Sequence, residues 1–141
     1  MRADTAPADL LRHGLRLLQA KDVDGWVNLW DEDAILEFPF APGGRPKRLE
    51  GRVAVAAYMS DYPDHIDLHD FPHAEIMQTL VPDAVVVEMH GVGRLADTDR
   101  HFGMSSIAVV ADTNGLITRY RDYWNPLAVQ DPATHFAGST A

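Results

Sequence analysis

Cysteine is absent from the 141 residues. That removes disulfides, thiolate nucleophiles and cysteine-ligated metals. Positive charge is scarce: 12 Lys and Arg stand against 21 Asp and Glu, a formal net charge of −9. Nucleic acid and anionic membrane surfaces both need clustered cations, so neither is expected as a partner. No apolar run approaches the roughly 20 residues that cross a bilayer. The opening MRADTAPADL lacks the apolar core of a secretion signal. There is no phosphate loop, dinucleotide fingerprint, nucleophile elbow or His-Glu-x-x-His. These absences predict a cytoplasmic protein that works without metal or cofactor, and they leave acid–base chemistry as the type to look for.

What is present suits one globular domain over residues 1–141, ordered over about 8–135. Hydrophobic residues make up 46% and charged residues 23% of the chain, enough for a real core. Leu10, Leu11, Leu15, Leu17 and Leu18 recur at helical spacing and predict a helix over residues 8–20. Asp22 or Asp24 is placed to cap a short second helix carrying Trp26, Val27, Leu29 and Trp30. Residues 34–38 read as a strand stopped by Pro39, and residues 53–61 as a third helix. Strands follow over 74–80, 84–95, 102–111 and 116–124. Helices first and antiparallel strands after argue an α+β fold, with helices on one face of a curved sheet.

Asn114-Gly115 lies between two β-rich runs and supplies the positive φ angles of a tight hairpin. Side chains alternate faces along the strand that follows. Thr118, Tyr120, Asp122 and Trp124 therefore share one face, and Arg119, Arg121 and Tyr123 the other. A carboxylate between aromatics is costly to bury unless something pairs with it. Asp122 is thus the leading candidate for a working group. A salt bridge to Arg119 or Arg121 is the structural alternative, and alternation counts against it.

The run VVVEMHGVGRL at 85–95 puts Glu88, His90 and Val92 on one face and Val85, Val87 and Met89 on the other. Glu88 and His90 are an acid and a base two residues apart. They are the candidate partners of Asp122 if their face is the concave one. Gly91 and Gly93 leave room for a bend or a closely approaching ligand. Trp26, Trp30, Phe38, Tyr58, Tyr62, Ile107, Tyr120 and Trp124 are candidate walls of a pocket for a small apolar ligand.

Two loops carry charge. Residues 41–50 (APGGRPKRLE) form a Gly/Pro loop; with Arg52 they hold four of the twelve basic residues within eight positions. The loop reads either as solvated or as a lid or subunit contact that brings a cation to an acidic substrate. Residues 63–72 hold His65 and His69, with His73 just beyond, beside Asp64, Asp67 and Asp70. Their loose spacing between two prolines reads as a solvated polar loop rather than a metal site.

The segments DVDGWVNLWDEDAILEFP (22–39) and LEGRVAVAAYM (49–59) are similar to the opening of the SnoaL-like polyketide cyclases and ketosteroid isomerases. These form a branch of the nuclear transport factor 2-like cone. Within that branch the chain resembles the small phenazine-biosynthesis isomerase/cyclase proteins. Their V-E-x-x-G-x-G pattern is like residues 87–93, and their G-x-x-x-x-x-R-E-F-x-N pattern is like residues 115–125. The resemblance covers about residues 8–130. It implies a cone-shaped sheet and an acid/base role at Asp122, one methylene shorter than the family's glutamate. His90 and Tyr58 are the nearest polar candidates for the phenazine proteins' catalytic histidine. The resemblance also implies a homodimer through the sheet's outer face, where Ser106, Ala108, Val110 and Tyr123 are expected.

The function read from the sequence is a cofactor-independent isomerase or cyclase acting on a small apolar biosynthetic intermediate. Epoxide opening and dehydration need the same groups. A non-catalytic ligand-binding or assembly module is the reading from another class, because fold does not fix function.

Overall fold

The computed structural model describes residues 6–60, 64 and 66–129. Helix α1 (Ala6–Gln19) buries Leu11 and Leu15 and packs Leu10, Leu17 and Leu18 around them. The leucine spacing thus produces the expected stripe. Asp9 in the first turn and Arg16 in the last complement the helix dipole. Asp22 caps α2 (Val23–Val27), its Oδ1 accepting the Gly25 N–H at 2.9 Å. The third helix, α3 (Arg52–Met59), buries Val55 completely.

The strands are β1 (Trp30–Glu37), β2 (Arg48–Glu50), β3 (Ile66–Gln78), β4 (Ala84–Leu95), β5 (His101–Thr113) and β6 (Leu116–Trp124). They form one curved, open, mixed sheet in the order β2-β1-β6-β5-β4-β3. All neighbours are antiparallel except β1 and β6. The β5–β6 hairpin turns at Asn114 (φ 54°) and Gly115 (φ 82°), as the Asn-Gly pair requires.

Two segments differ from the sequence reading. Residues 66–72, expected as loop, belong to β3. Ile66 and Leu68 are buried with Leu95 and Phe102 in a second small core, which holds the segment to the sheet. Pro72 is tolerated because β3 is an edge strand and its ladder shifts register between Asp70 and His73. Gly93 is where β3 crosses closest: a Cβ there would collide with the Asp67 carbonyl oxygen. Part of the room expected for a bend or a ligand is therefore taken by backbone. The second difference is β2 inside the basic loop, where Leu49 pairs with Leu36 of β1. Among the described residues no helix is long and apolar enough to cross a membrane.

Register shows how the inner face is graded. Tyr120, Val110 and Val85 make one cross-strand row; Asp122, Ala108 and Val87 the next; Trp124, Ser106 and Met89 the third; Met104 and Gly91 the fourth. The first row is solid core. Trp30 is wholly buried, stacks on Tyr120 at 5.5 Å between centroids and tilts against Trp26 at 5.0 Å. Past the second row the side chains shrink to Ser106 and Gly91, and the sheet and helices stand apart. Asp122 sits where packed core gives way to cavity.

Candidate active site

A cavity of about 240 Å³ lies between the helices and the inner face. Its helix side is Leu15, Leu18, Tyr58 and Met59, and its sheet side includes Met89, Gly91, Met104 and Ser106. Trp26, Phe38, Tyr120 and Trp124 add aromatic wall, with Phe38 and Tyr58 rings 5.3 Å apart. Apolar rings with few polar groups are the usual makeup of a small-molecule pocket.

Asp122 is the carboxylate in this wall. The residue is half-buried, and its Oδ1 is enclosed with no hydrogen-bond partner among the described residues. Burial disfavours the charged form and pushes the carboxyl pKa up to about 7. Tyr120, two residues back on the same face, has its hydroxyl pushed up, first by burial and then by the Asp122 charge. The salt-bridge alternative is not what the geometry holds. Arg119 pairs with Glu37 at 2.9 Å, and Arg121 pairs in register with Val109 on the opposite face from Asp122. A carboxyl that titrates near neutral pH can take a proton and return it under the same conditions.

The other predicted site residues divide between places. Trp26, Phe38, Tyr58, Tyr120 and Trp124 line the cavity. Trp30 is core behind Tyr120 rather than wall. Tyr62 lies outside the described residues. Ile107, expected as wall, is on the outer face and 42% exposed. Glu88 and His90 are also on the outer face, because the strand's concave side is the one with Val85, Val87 and Met89. They do not meet Asp122. The sequence fixes which residues alternate together; which set turns inward depends on the apolar face that the helices cover. The same inversion moves Ser106, Ala108 and Val110 inward, while Tyr123 faces out.

The outer face carries a hollow of about 580 Å³, larger than the inner cavity but shallow. There the Glu88 carboxylate meets His73 at 3.1 Å and His90 meets the Ser105 hydroxyl at 2.8 Å. His73, Glu75 and Glu88 bring donor atoms within 4.8 Å of one another, all exposed. His69 pairs with Asp67 at 2.9 Å instead of joining them. The outer hollow holds no buried titratable group, whereas the inner cavity has Asp122 in its wall, which makes the inner cavity the candidate site.

Two groups were missed. Arg45 turns in from the basic loop to line the cavity, its guanidinium 5.1 Å from the centroid of the Trp124 ring and hydrogen-bonded to Tyr58. The clustered basic residues were a signal for a loop cation, without saying which one folds inward. Asp112 is buried near the hairpin end, its carboxyl raised by burial and the nearby Asp83 charge and opposed by backbone N–H groups of Gly115 and Asp112. Those backbone partners mark it as structural.

A model of the SnoaL-like domain matches residues 11–120. The chain is 39% identical over 131 residues to the uncharacterized protein YesE of Bacillus subtilis, covering 93% of this chain and 87% of that one. It is 37% identical over 119 residues to the uncharacterized PhzA/B-like protein PA3332 of Pseudomonas aeruginosa, covering 84% of each. It superimposes on a solved structure from Bacillus subtilis named "Putative Isomerase" with TM-score 0.84 and 37% identity, covering 89% and 91% of the two chains. Its α+β fold is the nuclear transport factor 2-like cone, and the chain belongs to the SnoaL-like domain family.

Proposed function

We propose that this protein is a cofactor-independent isomerase or cyclase, in which Asp122 moves a proton on a small, largely apolar ring compound. One observation carries the reading: a single carboxyl in an aromatic-lined cavity, its Oδ1 enclosed and without a hydrogen-bond partner among the described residues, where burial pushes its pKa up to about 7. As carboxylate it removes a proton next to a carbonyl; as carboxylic acid it returns that proton to another carbon of the delocalised anion. No net proton is consumed. Such transfer contributes about 10²- to 10⁴-fold in rate. The cavity of about 240 Å³ is smaller than the roughly 300–1,000 Å³ of drug-sized sites, which favours one- or two-ring substrates. The names "Putative Isomerase" and "Uncharacterized PhzA/B-like protein" of two similar proteins are consistent with this class.

The test uses β,γ-unsaturated cyclic ketones, whose conversion to conjugated enones is followed by the gain in ultraviolet absorbance. Turnover by the wild type that falls about 10²-fold or more in Asp122→Asn supports the reading. A bound ketone released unchanged, with Asp122→Asn altering affinity alone, would make the protein a binding module instead.

The outer face, with Phe40 at 58% and Ile107 at 42% exposed beside the shallow hollow, is the surface on which we place a homodimer contact. Sedimentation at micromolar concentration that finds a monomer removes this part of the proposal.

A further inference from the structure

We infer that His73, Glu75 and Glu88 form a binding site for a divalent transition-metal ion of the zinc class on the outer face of the sheet. The site lies on the opposite side of the sheet from Asp122 and is independent of the acid–base reading.

Register brings the three residues together. His73 and Glu75 are two apart on β3, so they share a face. Glu75 stands directly opposite Glu88 of β4, and His73 opposite His90. The Nε2 of His73 and the Oε1 of Glu88 are 3.1 Å apart. One donor atom from each of the three residues lies within 4.8 Å of the others. A zinc ion with bonds of about 2.0–2.2 Å holds its tetrahedral donors about 3.3–3.6 Å from one another. The His73–Glu88 edge is already close to that spacing, and an exposed glutamate closes the rest by a change of rotamer.

Like charges directly opposite each other in a sheet repel. Glu75 and Glu88 are such a pair, and among the described residues no Lys or Arg answers them. Lys21 pairs with Asp67, Arg48 with Glu37 and Glu50, Arg94 with Asp99, and Arg119 with Glu37. A divalent cation between the two carboxylates turns repulsion into attraction. The imidazole selects which cation. Calcium and magnesium take roughly six to eight oxygen ligands, whereas zinc accepts an imidazole nitrogen beside carboxylates. Three protein donors leave the fourth tetrahedral position to water. His90 is turned away from it: its Nδ1 meets the Ser105 hydroxyl at 2.8 Å, and its ring lies over Gly103, where a Cβ would be 3.4 Å from ring atoms.

The three ligands tie edge strand β3 to β4 just past the register shift between Asp70 and His73. A bound ion clips the sheet edge at its irregular stretch and stabilises the folded chain by mass action.

The test titrates zinc chloride by calorimetry into the 141-residue chain, free of any tag and stripped of metal by chelator. Calcium and magnesium chloride are titrated alongside. The wild type should take one zinc per chain and bind calcium and magnesium about tenfold or more weaker. His73→Ala, Glu75→Gln and Glu88→Gln should each weaken zinc about tenfold or more. His69→Gln and His90→Ala should keep the wild-type affinity. Without metal, all five variants should melt close to the wild type, which shows that they fold. Saturating zinc should raise the melting temperature of the wild type but not of His73→Ala. No saturable zinc binding by the wild type overturns the inference, as does an affinity unchanged in His73→Ala. A loss in His69→Gln as large as that in His73→Ala overturns it too, because the ion would then sit elsewhere. Calcium or magnesium binding as tightly as zinc would overturn the transition-metal assignment.

Discussion

The two faces of strands β4, β5 and β6 hold carboxylates of opposite character. On the outer face Glu88 is exposed and meets His73. On the inner face Asp122 is enclosed by rings, and its pKa rises to about 7. The strands and their period of two are the same for both. What differs is the medium: water and a histidine on one side, a small apolar cavity on the other. A carboxylate's chemistry here follows from the face it is on, and one residue of register decides the face.

This contrast predicts its largest effect on catalysis. Asp122→Asn should lower kcat by about 10²-fold or more on the ketone probes, whereas His90→Ala and Glu88→Gln should leave kcat near wild type. A reversal of that order would mean the outer hollow is the site.

The second effect compares the two ends of the inner face. Ile117, 1% exposed in the packed end, should cost about 2–5 kcal/mol when cut to Ala. Met104 borders the cavity, so Met104→Ala adds to space already present and should cost clearly less. Denaturant midpoints at unchanged m-values compare the two.

The third effect is on stability against pH. Folding raises the Asp122 pKa from an ordinary 3.8 to about 7, so the folded state binds more protons between those values. Stability from this group is fully present below about pH 4, is lost as pH rises to about 7, and is level above. Asp122→Asn removes this loss, so its melting temperature should match or exceed wild type at pH 8. A large fall there would instead reveal a buried ion pair.

The smallest effect belongs to the outer cluster. Glu75→Gln should move the melting temperature by about 2 °C or less, because exposed substitutions change little. Turnover should be unchanged in chelator. Activity lost in chelator and restored by one divalent ion would give His73, Glu75 and Glu88 a role that the inner-face account lacks.

Much of the fold was legible because it rests on local chemistry. Leucine spacing marked α1, a cap at Asp22 or Asp24 marked α2, and Asn114-Gly115 marked the hairpin. The shared face of Tyr120, Asp122 and Trp124 followed from alternation alone. What could not be read depended on distant contacts. β3 is held by Leu95 and Phe102 from the next two strands, and two prolines masked it. Whether Glu88 or Met89 faced the helices was undecided by a run with apolar residues on both faces. Arg45 was one of four clustered cations, and only the folded loop shows which of them turns inward.

The central claim is that Asp122 is a carboxyl poised near neutrality, and it can be tested before any substrate is found. In protein carrying ¹³C-labelled aspartate, the Asp122 carboxyl resonance, assigned by its loss in Asp122→Asn, is followed against pH. The account predicts a midpoint near 7, well apart from the exposed aspartates. A midpoint near the ordinary value of 3.8 would contradict it.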